Sequence, residues 1–158
     1  MSAPAGGYLL DANALIALCW PAHEHHGRML AWFKTHAAQG WATCALTQSA
    51  FVRVVMQPAF SGPVAAKITV NDSAELLVRN ASHPLHCFVN LDFGFGDVLT
   101  TCTGGLYGHR QITDAWLLTA AIKNGLRLLT FDADIRSLLA TPAERLIHLA
   151  TPDRKSVV

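Results

Sequence analysis

The chain has 158 residues, of which 51% are hydrophobic and only 15% charged, and its twelve Lys and Arg against eleven Asp and Glu leave a formal net charge of +1. This composition excludes a disordered chain, a coiled coil and a polybasic tail that coats nucleic acid, and it predicts one domain over residues 1–158. A surface with so few charges also indicates that a partner covers part of it.

Short apolar runs predict strands, and amphipathic stretches between them predict helices. Thr113 is the expected N-cap and Gly125 the expected C-terminal stop of the clearest helix. The alternation predicts an α/β fold, a three-layer α/β/α domain with a mainly parallel central sheet and a core at about 8–149. In chain order the elements are a strand at 8–10, helices at 12–18 and 25–39, a strand at 41–45, a helix from Thr47 that Pro58 ends, one or two helices within 61–81, a strand within 85–92, a mostly irregular stretch at 93–109, a helix at 115–124, a strand at 126–130, a short helix at 135–139 and a strand at 146–149.

Three aspartates are expected at one edge of this sheet. Asp11 and Asp132 each end a predicted strand, and Asp114 begins the helix that leads back into the next strand. The carboxyl ends of parallel strands share an edge, so the three carboxylates are expected to lie close together. They would repel one another unless a cation lay between them, and carboxylates are the ligands that Mg²⁺ or Mn²⁺ prefers.

Each acid also has a purely structural explanation when it is taken alone. Asp114 suits the first turn of a helix, where the helix dipole stabilises a negative charge. Asp132 and Asp134 suit a loop or a helix cap. Asp11 is harder to explain, because an acid directly after a buried Tyr-Leu-Leu run needs a partner. The three acids together therefore favour a functional site.

A run of histidines, His23-Glu24-His25-His26, offers a second candidate site. These residue types bind transition metals, yet the run follows Pro21 and precedes a helix, which is typical of a solvated helix start. Contact between these histidines and phosphate groups of a ligand is favoured over metal binding. The tryptophans are expected in the core or at an interface rather than as platforms for bases: Trp20, Trp32, Trp41 and Trp116.

The sequence predicts a cytoplasmic protein. The start of the chain has neither the basic nor the apolar part of a signal peptide, and the longest apolar stretch, at 14–20, is too short to span a membrane. The cysteines form no C-x-x-C pair and are expected to be reduced and mostly buried: Cys19, Cys44, Cys87 and Cys102.

Four segments in this order resemble the PIN-domain ribonucleases, and within them the VapC-type toxins of bacterial toxin–antitoxin pairs. The resemblance extends over nearly the whole chain, from Tyr8 to about Leu149. No single motif is specific, but their order makes the resemblance strong. The segments are Leu9-Leu10-Asp11-Ala12-Asn13-Ala14-Leu15-Ile16-Ala17-Leu18, then Thr47-Gln48 with Phe51-Val52-Arg53-Val54, then Ile112-Thr113-Asp114-Ala115-Trp116-Leu117, then Leu129-Thr130-Phe131-Asp132.

The resemblance implies a metal-dependent endoribonuclease that cleaves structured RNA, such as a tRNA or a ribosomal RNA loop. The first, third and fourth acids of the family carry over to Asp11, Asp114 and Asp132, which would be catalytic and hold Mg²⁺ or Mn²⁺, and Asp134 can serve as an additional metal ligand. The resemblance also implies a cognate antitoxin that places an Arg or Lys in the acidic site, and a homodimer.

Three more residues are expected to support the acids. Gln48 stands where the family usually has a second acid, a Glu, so this position brings an amide oxygen but no negative charge. Asn13 is expected to brace Asp11, and Thr130 to hydrogen bond with a carboxylate or a phosphate.

Gln48 motivates a second hypothesis, a PIN-like module that binds RNA or protein and has lost catalysis. A haloacid-dehalogenase-type phosphatase would need a second Asp two positions after Asp11, where Asn13 stands, so this reading is set aside.

Overall fold

The structure is a computed structural model that describes residues 6–141 and 146–149. Its centre is a five-stranded sheet with the strand order β3-β2-β1-β4-β5, in which every pair of neighbours is parallel. This confirms the predicted parallel sheet. The strands are β1 (Tyr8–Leu10), β2 (Trp41–Cys44), β3 (His86–Val89), β4 (Arg127–Thr130) and β5 (Ile147–Leu149).

Helices connect these strands along the chain. Most predicted helices are present, although the predicted stretch at 25–39 closes with a 3-10 turn at Ala37–Gln39, and 61–81 divides into a 3-10 segment at Gly62–Lys67 and a helix. The α-helices are α1 (Ala12–Cys19), α2 (His26–His36), α3 (Ala45–Val55), α4 (Pro58–Ser61), α5 (Val70–Ala81), α6 (Phe95–Thr101) and α7 (Ile112–Lys123).

The helices cover both faces of the sheet, which confirms the three-layer α/β/α architecture. Successive residues of a strand point to opposite faces, so Tyr8 and Leu10 pack among α1, α2, α3 and α5, whereas Leu9 packs with α6 and α7. Leu129 and Leu128 divide between the two clusters in the same way. Two apolar cores therefore hold the sheet from both sides.

The stretch at 93–109, predicted as mostly irregular, contains the helix α6, which the sequence did not predict, and the 3-10 turn at His109–Gln111 begins at its end. The local sequence of α6 favours a helix poorly, since Gly96 and two threonines lie within its seven residues. Tertiary contacts stabilise it instead: Val98 is fully buried, and the Asp97 carboxylate pairs with Lys123 of α7 at 3.1 Å.

Three predicted boundaries also differ. Thr113 is not the N-cap of α7; Gln111 is, so Thr113 and Asp114 lie inside the first turn. Pro58 does not end α3, which stops at Val55; it begins α4, where a proline needs no N–H donor. The helix predicted at 135–139 is a 3-10 segment at Ala133–Leu138. The stop at Gly125 is confirmed, with a φ of 66°.

Within the described residues, no helix is both long and apolar enough to cross a membrane. The cytoplasmic location stays a prediction. Three of the cysteines are buried as expected: Cys19, Cys44 and Cys102. Of the tryptophans, Trp32 and Trp41 are buried, and Trp20 and Trp116 are partly buried.

Candidate active site

Two of the predicted acids lie at the carboxyl ends of β1, the central strand of the sheet, and its neighbour β4. The chain adds β2 and β3 on one side of β1 and β4 and β5 on the other, so the strand order reverses between β1 and β4. In open α/β sheets this reversal leaves a crevice in which ligands bind. Asp11 follows β1 directly, and Asp132 lies two residues after β4.

Asp11 is buried, with 7% of its surface exposed, and caps the N-terminus of α1. Its Oδ1 accepts a hydrogen bond from the backbone N–H of Ala12 at 2.7 Å, and its Oδ2 accepts one from the hydroxyl of Thr130 at 2.7 Å. The carboxylate is therefore held in one orientation by two short hydrogen bonds. This explains the buried acid that the sequence left without a partner.

The Thr130 hydroxyl is the centre of the hydrogen-bond network. It donates its single proton to Asp11 and accepts from the backbone N–H of Asp132 at 3.0 Å and from Nδ2 of Asn13 at 3.4 Å. One donated and two accepted bonds use the full capacity of a hydroxyl group. The side chain of Thr130 is fully buried, so this arrangement is shielded from water.

The segment after β4 is held in place by hydrogen bonds from its backbone N–H groups to side chains. Oδ1 of Asn13 accepts from the N–H of Phe131 at 3.3 Å, so Asn13 joins α1 to this segment at two points. Asp132 caps the 3-10 segment, and its Oδ1 accepts from the N–H of Asp134 at 2.9 Å. Asp134 itself is exposed. Thr130 thus contacts Asp11 and the backbone of Asp132 directly, whereas Asn13 supports them through Thr130 and Phe131.

Asp114 approaches the same crevice from the first turn of α7 and is half-buried. Burial and the negative charges of Asp11 and Asp132 raise the pKa of Asp114 to about 6. Within the described residues its carboxylate has neither a hydrogen-bond partner nor an ion-pair partner. Asp11 and Asp132 are therefore close enough to oppose the ionisation of Asp114.

The negative charge of this cluster is not compensated. Burial raises the pKa of Asp11, the bonds from Thr130 and Ala12 oppose that shift, and the charge of Asp132 adds to it. Among residues 6–141 and 146–149, no Lys, Arg or His lies within 4.0 Å of the three carboxylates. Carboxyl groups whose pKa is raised by burial and by neighbouring carboxylates are typical of functional sites.

The donor set suits a hard divalent cation, because it consists of carboxylate oxygens with unneutralised charge. The part of the chain that the structure describes contains no group of three or more His, Cys, Asp or Glu side chains already spaced as ligands of one ion. The histidine run therefore forms no such group either.

Gln48 makes its contact elsewhere. Its Nε2 donates to the hydroxyl of Thr43 in β2 at 2.9 Å, and the same hydroxyl lies 2.8 Å from Nε2 of His86 in β3. Since the hydroxyl accepts from Gln48, its proton is available to His86, which is then a neutral acceptor. Burial lowers the pKa of His86, in agreement with that assignment. No pattern in the sequence predicts the contact between Thr43 and His86, because only the register of β2 against β3 brings them together.

Phe131 connects the acids to a group of rings and cations that the sequence did not place there. The His25 ring lies 5.3 Å from the Phe131 ring, and the Arg28 guanidinium lies 5.7 Å from the centre of that ring. The histidine run was the only signal in the sequence for this contact. Its third residue therefore lies next to the segment that carries Asp132.

The sequence model of the PIN domain family matches residues 8–138, which is most of the chain and includes all of the acids described above. The chain belongs to the PIN-domain family. The predicted resemblance is thereby confirmed.

Relatives of this PIN domain include proteins of Mycobacterium tuberculosis. Ribonuclease VapC38 is 41% identical over 143 residues, which are 90% of this chain and 97% of that protein, and Ribonuclease VapC44 is 38% identical over the same shares. Ribonuclease VapC39 is 34% identical over 130 residues, or 79% of this chain and 88% of that protein. The crystal structure of PAE2754 from Pyrobaculum aerophilum superimposes with a TM-score of 0.58 at 23% identity, over 93% of this chain and 86% of that one, and shares the fold.

Proposed function

We propose that this PIN domain is an endoribonuclease toxin that depends on Mg²⁺, with Mn²⁺ as a substitute, and that it hydrolyses phosphodiester bonds in structured RNA such as a tRNA or a ribosomal RNA loop. The observation that carries the proposal is the group of three acids from distant parts of the chain: the charges of Asp11 and Asp132 help to raise the pKa of Asp114, and no Lys, Arg or His among the described residues pairs with them. Relatives named as ribonucleases at 33–41% identity support it.

In this proposal Asp11, Asp114 and Asp132 hold the divalent cation, with Asp134 as an additional ligand. The cation supplies Lewis-acid activation of water and neutralises the charge that develops on the phosphate. Thr130 keeps the Asp11 carboxylate oriented. Its hydroxyl also accepts from the N–H of Asp132 and so fixes the position of Asp132 relative to Asp11. Asp114 must give up its proton before it can bind the cation, because its pKa lies near 6.

RNA suits the charge distribution once the acids are counted as ligands. Without Asp11, Asp114, Asp132 and Asp134, the chain has twelve Lys and Arg against seven Asp and Glu. The near-neutral total is then the sum of an acidic pocket and a basic remainder. Basic side chains around the pocket would neutralise RNA phosphates.

The deciding experiment is cleavage of total tRNA and ribosomal RNA by the purified chain with Mg²⁺, with Mn²⁺ or with EDTA. Asp11→Asn and Asp114→Asn should lose the metal-dependent cleavage, whereas Glu75→Gln, which removes an exposed acid on α5, should keep it. Sequencing of the RNA ends then identifies the cut position. Equal activity in all of these proteins would refute the mechanism.

The alternative is a PIN-like module that binds RNA or protein without cleaving it, and Gln48 is the observation that favours it. Its amide brings no charge to the site and is bonded to Thr43. RNA binding without cleavage under every metal condition would support this alternative over the ribonuclease.

The proposal includes two protein partners. A cognate antitoxin would place an Arg or Lys among the uncompensated acids, and co-expression with the product of a neighbouring small reading frame should suppress cleavage. A second copy of the chain would cover exposed apolar side chains such as Val78, which is 64% exposed. Light scattering of the purified chain should then give the mass of a homodimer.

A further inference from the structure

We infer that a pocket beside the acidic site binds an unpaired base of single-stranded RNA, and that Arg28 holds a phosphate of the same strand. The inference rests on the proposed function, since it takes RNA as the substrate. It names a part of the chain, outside the acids, that would position the strand. The pocket lies between the turn after α1 and the short helix α4.

The pocket has the size and lining of a site for a flat ring. Its volume is about 350 Å³, which falls within the range of small-ligand sites, about 300–1,000 Å³. Trp20, His23 and Phe60 supply ring faces, and all three are only partly buried. Glu24, Ser61 and Val64 complete the rim.

Ring contacts lead from this pocket to the acids without interruption. The His23 ring lies 5.9 Å from Phe60 and 5.5 Å from His25, and His25 lies 5.3 Å from Phe131. Phe131 is the residue before Asp132 and is fixed by Asn13. We expect a strand with its scissile phosphate at the acids to reach the pocket along these rings.

Charge determines which part of the strand goes where. None of the described residues that line the pocket is a Lys or Arg, and the Glu24 carboxylate lies at its rim, so a phosphate would be repelled there and a neutral base accepted. Arg28 lies at the other end, over Phe131, and no carboxylate among the described residues lies within 4.0 Å of its guanidinium. Its charge is available for a phosphate next to the acids.

Unpaired RNA bases are commonly recognised by stacking on aromatic and histidine rings, and this contact accepts every base. The pocket would therefore select for strand structure rather than for sequence. A base that is extruded from a loop can enter it, whereas a base paired within a duplex cannot.

The test measures binding rather than cleavage. Fluorescein-labelled single-stranded RNA dodecamers, either with all their bases or with an abasic residue at every position, are titrated with the full chain in EDTA, and anisotropy reports the affinity. Phe60→Leu keeps an apolar side chain but removes the ring, and Phe88→Leu makes the same change on the exposed edge strand β3. Phe60→Leu should weaken binding roughly fivefold or more, and Phe88→Leu should not.

Two further comparisons make the test independent of folding defects in Phe60→Leu. Val64→Glu changes an exposed side chain on the pocket rim and should weaken binding, whereas Val78→Glu, with the same charge change on α5, should do so less. Arg28→Gln should reduce the slope of log affinity against log salt by about 0.7, the value for one phosphate contact on a single strand.

The abasic series separates this inference from the proposed function. The wild-type chain should bind the dodecamer without bases roughly fivefold or more weakly than the dodecamer with bases, and this difference should be smaller for Phe60→Leu. Equal affinities for Phe60→Leu and Phe88→Leu, in a chain that cleaves RNA, would overturn the pocket and leave the ribonuclease intact. The predicted binding pattern without metal-dependent cleavage would support the pocket and refute the ribonuclease.

Discussion

The hydroxyl of Thr130 at the end of β4 donates a 2.7 Å hydrogen bond to the carboxylate of Asp11 at the end of β1. Two adjacent strands are thereby joined at the point where the strand order of the sheet reverses. The same hydroxyl accepts from the N–H of Asp132, so it sets the position of two acids at once.

Thr130→Val should lower both stability and activity. Valine has nearly the shape of threonine but cannot accept from Asp132 or donate to Asp11, so a buried N–H loses its partner at a cost of about 1–3 kcal/mol. Urea unfolding and the rate of RNA cleavage measure the two effects. Thr130→Ser keeps the hydroxyl and should retain most of the activity; an equal loss in both variants would show that the methyl group, not the hydrogen bond, matters.

Asp114→Asn should reduce metal-dependent cleavage by roughly two orders of magnitude or more, because one ligand carboxylate contributes several kcal/mol of charge stabilisation. The substitution is informative because Asp114 has no hydrogen-bond partner among the described residues, so it changes the charge and little else. Initial rates at saturating Mg²⁺ measure the effect, with Glu75→Gln as the control. An unchanged rate would remove Asp114 from the mechanism.

The same substitution should make the metal-free protein more stable at neutral pH. The pKa of Asp114 is about 6 in the fold and 3.8 in the unfolded chain, so ionisation above pH 6 disfavours the folded state. After allowance for partial exposure, Asp114→Asn should gain about 1–2 kcal/mol at pH 7.5. This gain should shrink as the pH falls from 6 towards 4, where Asp114 is protonated. Thermal unfolding in EDTA measures it, and a gain that is independent of pH would contradict the electrostatic origin.

Mg²⁺ should stabilise the wild-type chain more at pH 7.5 than at pH 5. Binding to the folded state alone raises the unfolding temperature, and below pH 6 protons compete with the ion at Asp114. Removal of the ion with EDTA should reverse the shift. Asp114→Asn should show a smaller shift at pH 7.5, and a full shift in that variant would place the ion at another site.

Gln48→Glu should raise the pKa of His86. The new carboxylate would accept a hydrogen bond from the Thr43 hydroxyl. The hydroxyl oxygen would then accept a hydrogen bond from Nε2 of His86, which favours the protonated ring. Titration of the imidazole signals by NMR measures the change, with Gln57→Glu as a control of equal charge on an exposed residue. An unaltered His86 titration would show that the three side chains are not coupled.

The strand and helix order, the parallel sheet and the shared edge of the acids could all be predicted, because hydrophobic period and turn residues encode them locally. The helix α6 could not, since buried Val98 and the Asp97–Lys123 pair stabilise it against the preference of its own sequence. The contact of Gln48 with Thr43 could not be predicted either, because a hydrogen bond between two side chains leaves no periodic signal in the sequence.

The bond between Thr130 and Asp11 spans 119 positions of the chain. During synthesis Asp11 leaves the ribosome long before Thr130 and Asp132 have been made, and β1 has no β4 to pair with. Contacts so far apart in sequence form late in folding. A growing chain therefore lacks its complete acid cluster until β4 and the segment after it have been made, so a partly synthesised chain cannot carry out the proposed cleavage.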